Sequence, residues 1–482
     1  MLHLSPALRA TGASLSILAC AMLVPAGADL AVDNADWQAF AGAAAVTLFV
    51  GVLLLLVAQG PKVKTINLHD GFLIANLCWL SIGCFGALPF LFAGLDVTPV
   101  EALFESVSGI TTTGATVLDD IDNLPPGILL WRALLSWLGG VGIIVMALAL
   151  LPVLQVGGMQ LFRLEAAASE QVMPRVAELS LGIIELYLLL TLFGAAALML
   201  AGMPLLDAVV HAMTAISTSG FSTHELSIGH FASPTMEAVL VMLMILGALP
   251  FVALLRAVRG KPLSLYRDSQ MRWLLGFLLA GTLLIALWRW LELQHEAGAT
   301  LWTSFFTVVS MMTGTGFRVE ETADWGALPR STLLFLMLIG GAAGSTSSGI
   351  KLFRVQIFVA LALAQLRRLT RPHGMFLAHL GRRQIPETVA DAVLAYFVLF
   401  TFTYMALTLL LGMTGLPLVN ALSVTASALA NVGPSLVDPE FARGDYSELG
   451  VGSQLVMVAG MYLGRLEILV VIVLFSRSFW RA

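Results

Sequence analysis

Four times along the chain, a short apolar segment runs into a stretch of small residues that contains glycine: "SGITTTGAT", "TAISTSGFS", "VSMMTGTGF" and "SALANVGPS". The glycines at matched positions are Gly114, Gly220, Gly316 and Gly433, separated by 106, 96 and 117 residues. An internal repeat of this kind outweighs any single motif, because it makes the fold an array of one unit. Each apolar segment has about a dozen residues, too few to cross about 30 Å of hydrocarbon, and suits a re-entrant half-helix. Longer apolar runs flank every segment.

Composition says what surrounds the repeats. Of 482 residues, 58% are hydrophobic and only 11% charged, with a mean hydropathy of +0.91. Soluble domains carry about 25% charged residues, so this chain is an integral membrane protein. Runs long enough to span fall near residues 12–31, 39–59, 71–94, 128–154, 178–202, 234–258, 270–291, 331–366, 387–412 and 453–478. The expected fold is all-α: four pseudo-symmetric span–pore-helix–span repeats around a central pore, plus two extra N-terminal transmembrane helices. The boundaries read as an N-terminal two-span extension over 1–65, then repeats over 66–157, 158–262, 263–380 and 381–482, the third with a broken second helix. Arg9 and the apolar stretch after it mimic a cleaved signal, but apolar sequence continues past Cys20 and the first span is read as retained. Cys20, Cys78 and Cys84 lie in apolar runs without metal spacing and read as buried thiols. Trp131, Trp137, Trp288, Trp290 and Trp480 fall near span ends and read mainly as interfacial anchors.

Orientation follows from the linkers. Lys62, Lys64, Arg256, Arg259, Lys261, Arg267, Arg367, Arg368, Arg371, Arg382 and Arg383 cluster on one side. Asp119, Asp120, Asp122, Glu320, Glu321, Asp324, Asp438, Glu440, Asp445 and Glu448 lie on the other. Positive charge stays cytoplasmic, which puts both termini inside and the acidic loops outside, where they raise local cation concentration.

Non-helical backbone at membrane depth is tolerated only where protein buries it or where it lines a water-filled cavity. One glycine loop alone leaves open whether glycine serves helix packing or a pathway. Four loops at matched places favour convergence on a common axis. Glycine permits backbone angles that other residues resist, so carbonyl oxygens can replace a cation's hydration shell. The half-helices aim the negative ends of their dipoles at the same point. No carboxylate lies within the four loops, which points to a monovalent cation.

At these loops the sequence resembles the superfamily of Trk, Ktr and HKT potassium transporters. The matching stretches are "FESVSGITTTGATVL", "LPPGILLWRALLSWLGGVGIIVMALALLPVLQVGGMQLFRLE", "GFSTHELSIGHF", "GGAAGSTSSGIK", "ALANVGPS" and "GMYLGRLEIL", from about residue 70 onward. The resemblance implies a potassium filter at Thr112, Thr113, Gly114, Thr218, Ser219, Gly220, Thr315, Gly316, Val432 and Gly433. It implies no covalently bound cofactor, with potassium as substrate. It also implies a homodimer in a bacterial inner membrane and a cytoplasmic TrkA-like regulatory ring that binds NAD(H) or adenine nucleotides. The lipid bilayer is the surrounding partner, and nothing points to nucleic acid. A sodium-conducting or cation-coupled symporter of the same superfamily is the near alternative.

Two further features need a reading. "AAGSTSSGIK" mimics a phosphate-binding loop, but Lys351 comes one residue late after Gly349. It interrupts the run 331–366, and the resemblance makes it a gating loop: Gly340, Gly341, Gly344, Ser345, Thr346, Ser347, Ser348, Gly349 and Lys351. Arg465 is a charge inside the final span. The resemblance puts it in the pore beneath the filter, while a structural ion pair is the plainer option. Glu467 lies about 200° around a helix from it and makes a poor partner. Lys351 and Arg354 read equally as snorkelling anchors or, as the resemblance implies, as contacts to the gate or the cytoplasmic partner. A distant rival is an intramembrane serine hydrolase using Ser345 or Ser348 with Lys351 as base. His224, Glu225 and His230 suggest a metal site but lack a convincing third ligand.

Overall fold

The computed structural model describes residues 4–59, 67–149, 173–292, 297–371, 373–381, 383–437 and 439–481. Lys62, Lys64, Arg382, Asp438 and the end of the span over 128–154 lie outside the described residues. So do the side chains of Arg383 and Glu440.

The described residues are mostly helical, and among them there is one hairpin of two-residue strands, His379–Leu380 against Arg383–Gln384. Among the described residues, seven helices are long and apolar enough to cross a membrane, and nine if each of two bent pairs counts as one span. The remaining expected span, the eighth over 331–366, is split in two, Ala327–Ile339 and Leu352–Thr370, around residues 340–351. Helix therefore occupies most of the described part of each of the ten expected spans, the eighth on either side of its break.

Only the third repeat was expected to have a broken second helix, and here the structure adds to the sequence reading. Pro234–Ala248 meets Phe251–Val258 at 109°, and Val451–Arg465 meets Ile468–Phe475 at 108°. Pro250 accounts for the first bend, because the residue before a proline is driven out of the helical region. At the second, Glu467 takes a left-handed φ of +65°. The first break sits inside a continuous apolar run and the second beside Arg465 and Glu467 in an otherwise apolar one, and window-averaged hydropathy passes over both.

Between the spans lie four short helices: Pro99–Ile110, Leu205–Ile216, Ala297–Thr313 and Leu418–Ala430. The first begins with a capping box between Thr98 and Glu101 and a proline in its first turn, a standard start signal. Each ends at its glycine loop. Glycines of the second spans admit them closely. A Cβ on Gly139 would sit 1.9 Å from the Ile110 carbonyl oxygen, on Gly247 2.7 Å from that of Ile216, and on Gly464 2.1 Å from that of Leu429.

The two extra helices, Leu4–Ala31 and Trp37–Val57, form a hairpin through small residues, with Gly12 and Gly51 face to face. The hairpin docks on the first repeat through Asp29, whose carboxylate accepts from the Gly127 amide at 2.7 Å. The cysteines correct the expectation of burial: Cys20 and Cys84 are exposed on the helix surface. Apolar sequence marks lipid-facing and core positions alike. Trp131 is the opposite correction. It is fully buried, donates to the Gly86 carbonyl at 3.0 Å and meets Phe40 edge-on, so it is a core residue.

Candidate functional site

The four glycine loops meet. A Cβ on Gly114 would lie 1.8 Å from the carbonyl oxygen of Ser219, and on Gly220 1.9 Å from that of Thr315. On Gly316 it would lie 2.2 Å from that of Val432, and on Gly433 2.6 Å from that of Thr113. Each glycine thus touches the residue that precedes the next repeat's glycine, and the fourth touches the first. That is a closed ring. Eight of the ten residues expected at the filter make these contacts, and Thr112 and Thr218 precede them in the same loops.

The backbone repeats as well. The glycines have φ of +77°, +77°, +86° and +97°, and two residues earlier Thr112, Thr218, Gly314 and Asn431 have +55°, +54°, +78° and +53°. The residue between has no positive φ in any repeat. Such alternation gathers N–H groups on one side and carbonyls on the other. The N–H side is satisfied within each repeat: the amides of Thr113, Ser219, Thr315 and Val432 donate to the carbonyls of Ser108, Thr214, Ser310 and Ser427 at 2.8 to 3.0 Å. The carbonyls of Thr113, Ser219, Thr315 and Val432 accept no hydrogen bond among the described residues. Buried carbonyls are rarely left so; these four are held free by their loops.

The same four residues brace the loops through their hydroxyls. Ser108 Oγ donates to the Ala115 carbonyl at 2.5 Å, Thr214 Oγ1 to that of Phe221 at 2.9 Å and Ser310 Oγ to that of Phe317 at 2.7 Å. Ser427 Oγ donates at 2.5 Å to the carbonyl of Gly433 itself, where proline follows. Sequence reasoning missed this set, although a signal was present: each stands six residues before its glycine.

Outside the ring lies a cavity of about 250 Å³ lined by Gly114, Gly220 and Gly316. Its wall carries Asp119, Asp120, Glu225 and Asp445 but also Arg132, Arg318 and Arg443. The expected acidic funnel is therefore only mildly acidic, because arginines scattered in sequence converge there. Arg132 is tied to buried Glu105 at 2.6 Å. Burial, with Arg443 beside it, pushes Arg318 down to about 10, so it stays charged at neutral pH.

Beneath the ring lies the segment 340–351, buried almost throughout. Gly340, Gly344, Gly349 and Lys351 all have left-handed φ, between +69° and +86°. The loop is stitched in place: Gly341 N–H donates to Ser347 Oγ at 2.8 Å, Ala342 N–H to Ala248 O at 3.0 Å and Ala343 N–H to Gln270 Oε1 at 2.8 Å. Thr346 Oγ1 donates to Gly247 O at 2.9 Å and stands 3.2 Å from Thr218 Oγ1 in the ring. Ser345 Oγ turns back to Ala342 O at 2.5 Å.

Arg465 ends its helix pointing at this loop. Its guanidinium donates to Thr346 O at 2.7 Å, Ser348 Oγ at 3.0 Å and Gly139 O at 3.2 Å. No carboxylate pairs with it among the described residues. Glu467 pairs with Arg354 instead, which is buried and stacked over Tyr396 at 3.8 Å. Arg354 and Lys351 are therefore not snorkelling anchors. Lys351 Nζ donates to the Ser347 carbonyl at 2.5 Å, not to a hydroxyl, so the serine–lysine pair a hydrolase needs is not formed. The space between loop and Arg465 is only about 20 Å³, room for about one water.

Comparisons with known proteins agree with this architecture. A family model described as TrkH, a cation transport protein, matches residues 37–481. The chain is 37% identical to the Trk system potassium uptake protein TrkI of Halomonas elongata, covering 99% of this chain and 97% of that one. It is 34% identical to the Trk system potassium uptake protein TrkH of Escherichia coli, over 100% of both. The crystal structure of the potassium transporter TrkH from Vibrio parahaemolyticus matches with a TM-score of 0.93 and 32% identity, over 100% of both chains.

Proposed function

The chain belongs to the TrkH family of cation transport proteins, and from that premise we propose that it is the potassium-translocating membrane subunit of a Trk-type uptake system. The observation that carries this reading is the closed ring of Gly114, Gly220, Gly316 and Gly433, each against the next repeat's backbone oxygen. A cation entering from the outer cavity exchanges its water for the carbonyls of Thr113, Ser219, Thr315 and Val432. Since the loops hold those oxygens in place beforehand, little reorganisation opposes the exchange. A membrane potential of 100 mV supplies about 2.3 kcal/mol per charge, which drives uptake without ATP hydrolysis in this chain.

In this reading residues 340–351 are the gate and Arg465 its electrostatic latch. The chain sits in the inner membrane with both termini cytoplasmic, assembles as a homodimer, and takes its nucleotide response from a TrkA-like cytoplasmic ring bound to the basic loops. Sodium conduction is the second reading, favoured by the departure of the third and fourth loops, which carry Gly314 and Asn431 where the first two carry threonine at the left-handed position.

Rubidium uptake into proteoliposomes separates these readings, with voltage, sodium gradient and proton gradient imposed one at a time. Voltage alone is expected to drive uptake, with potassium competing better than sodium. Uptake that requires a proton or sodium gradient would instead make the protein a symporter.

A further inference from the structure

The second repeat carries two histidines beside the outer cavity, and the fold gives them the third ligand that their own loop lacks. His224 Nδ1 lies 2.5 Å from Asp122 Oδ1, which comes from the first repeat's outer turn, Ile121–Asn123. The His224 and His230 rings stack at 3.6 Å and 4°. Ligand atoms of Asp122, His224 and His230 all lie within 4.8 Å of one another.

We propose that Asp122, His224 and His230 form a binding site for a borderline-soft divalent cation of the Zn²⁺ class at the outer mouth. Two imidazoles and one carboxylate, with water completing a tetrahedron, suit this ion. Bonds of about 2.0 to 2.2 Å to nitrogen and oxygen place neighbouring ligands roughly 3.3 Å apart. Asp122 and His230 are exposed, and His230 must turn out of its stack on His224 so that the two in-plane nitrogen lone pairs converge on the ion. The ion takes the place of the proton shared by His224 Nδ1 and Asp122. The other ring nitrogen already faces a carboxylate: Nε2 stands 3.8 Å from Asp207 Oδ2, and Thr223 Oγ1 donates to Asp207 Oδ1 at 2.7 Å. That distance is too long for a hydrogen bond, and a small ring rotation on metal binding would bring Asp207 into the orienting position of an outer carboxylate. Hard cations such as Mg²⁺ prefer an all-oxygen shell and are excluded by the same donors.

The consequence for transport rests on the pore reading. His224 lines the outer cavity, so a bound dication opposes the approach of potassium and pins two repeats together.

Titrating ZnCl₂ into the full-length protein in nanodiscs tests the site by calorimetry. The expected result is one site per chain, with affinity falling at least about tenfold in His230→Ala and in Asp122→Asn, and no response to MgCl₂. No binding by the wild type, or equal binding by both variants, overturns the proposal. Zn²⁺ is also expected to slow rubidium uptake by the wild type and not by His230→Ala. Should Zn²⁺ bind as described yet leave uptake unchanged, the site stands and the pore reading fails.

Discussion

Gly220→Ala will lower rubidium uptake by about 100-fold or more while the purified protein stays monodisperse. The new methyl group would sit 1.9 Å from the Thr315 carbonyl oxygen, far inside contact distance, so that oxygen must move by more than an ångström. Gly220 also has a left-handed φ of +77°, a conformation that costs another residue about 1–2 kcal/mol. Together the strain and the displaced oxygen raise the barrier by roughly 3 kcal/mol, and each 1.36 kcal/mol is about tenfold in rate. Gly415→Ala is the control. Gly415 has φ of +99° with open space around it, so it carries the same conformational cost without the collision, and uptake should survive. Equal losses in the two variants would attribute the effect to folding.

Arg465→Ala will raise basal flux by about 30-fold. A unit charge about 8 Å from a permeating cation costs it roughly 2 kcal/mol at an effective dielectric constant of about 20, and removing it lowers the barrier accordingly. The side chain also holds the loop through Thr346 O and Ser348 Oγ, so its loss frees the barrier physically. Arg465→Lys separates the two contributions. Lysine keeps the charge and loses the fork of donors. Flux that stays low in Arg465→Lys assigns the effect to charge, and flux as high as in the alanine variant assigns it to the tether. A folded Arg465→Ala protein with ordinary flux would contradict both.

Much of this is legible in the amino-acid sequence. The matched glycines gave the repeat, the repeat gave the ring, and the break inside 331–366 gave the loop. These signals survive in sequence because glycine at left-handed φ and polar residues at membrane depth have few substitutes. The bends at Pro250 and Glu467 were not legible, although Arg465 and Glu467 mark the second, since hydropathy measures transfer from water and not backbone direction. The pairing of Glu467 with Arg354 was equally out of reach, because 113 residues separate them. The hydroxyl brace at Ser108, Thr214, Ser310 and Ser427 was readable by aligning the four loops on their glycines. The third ligand beside His224 was not, because Asp122 belongs to another repeat.

The central claim is that four carbonyls from four repeats share one cation. Anomalous diffraction from crystals of the protein grown in thallium(I) or rubidium measures this directly. The account predicts strong peaks on the axis of the ring, within coordination distance of the carbonyls of Thr113, Ser219, Thr315 and Val432, that vanish in crystals of Gly220→Ala. Peaks confined to the outer cavity, with none on the axis in the wild type, would contradict it.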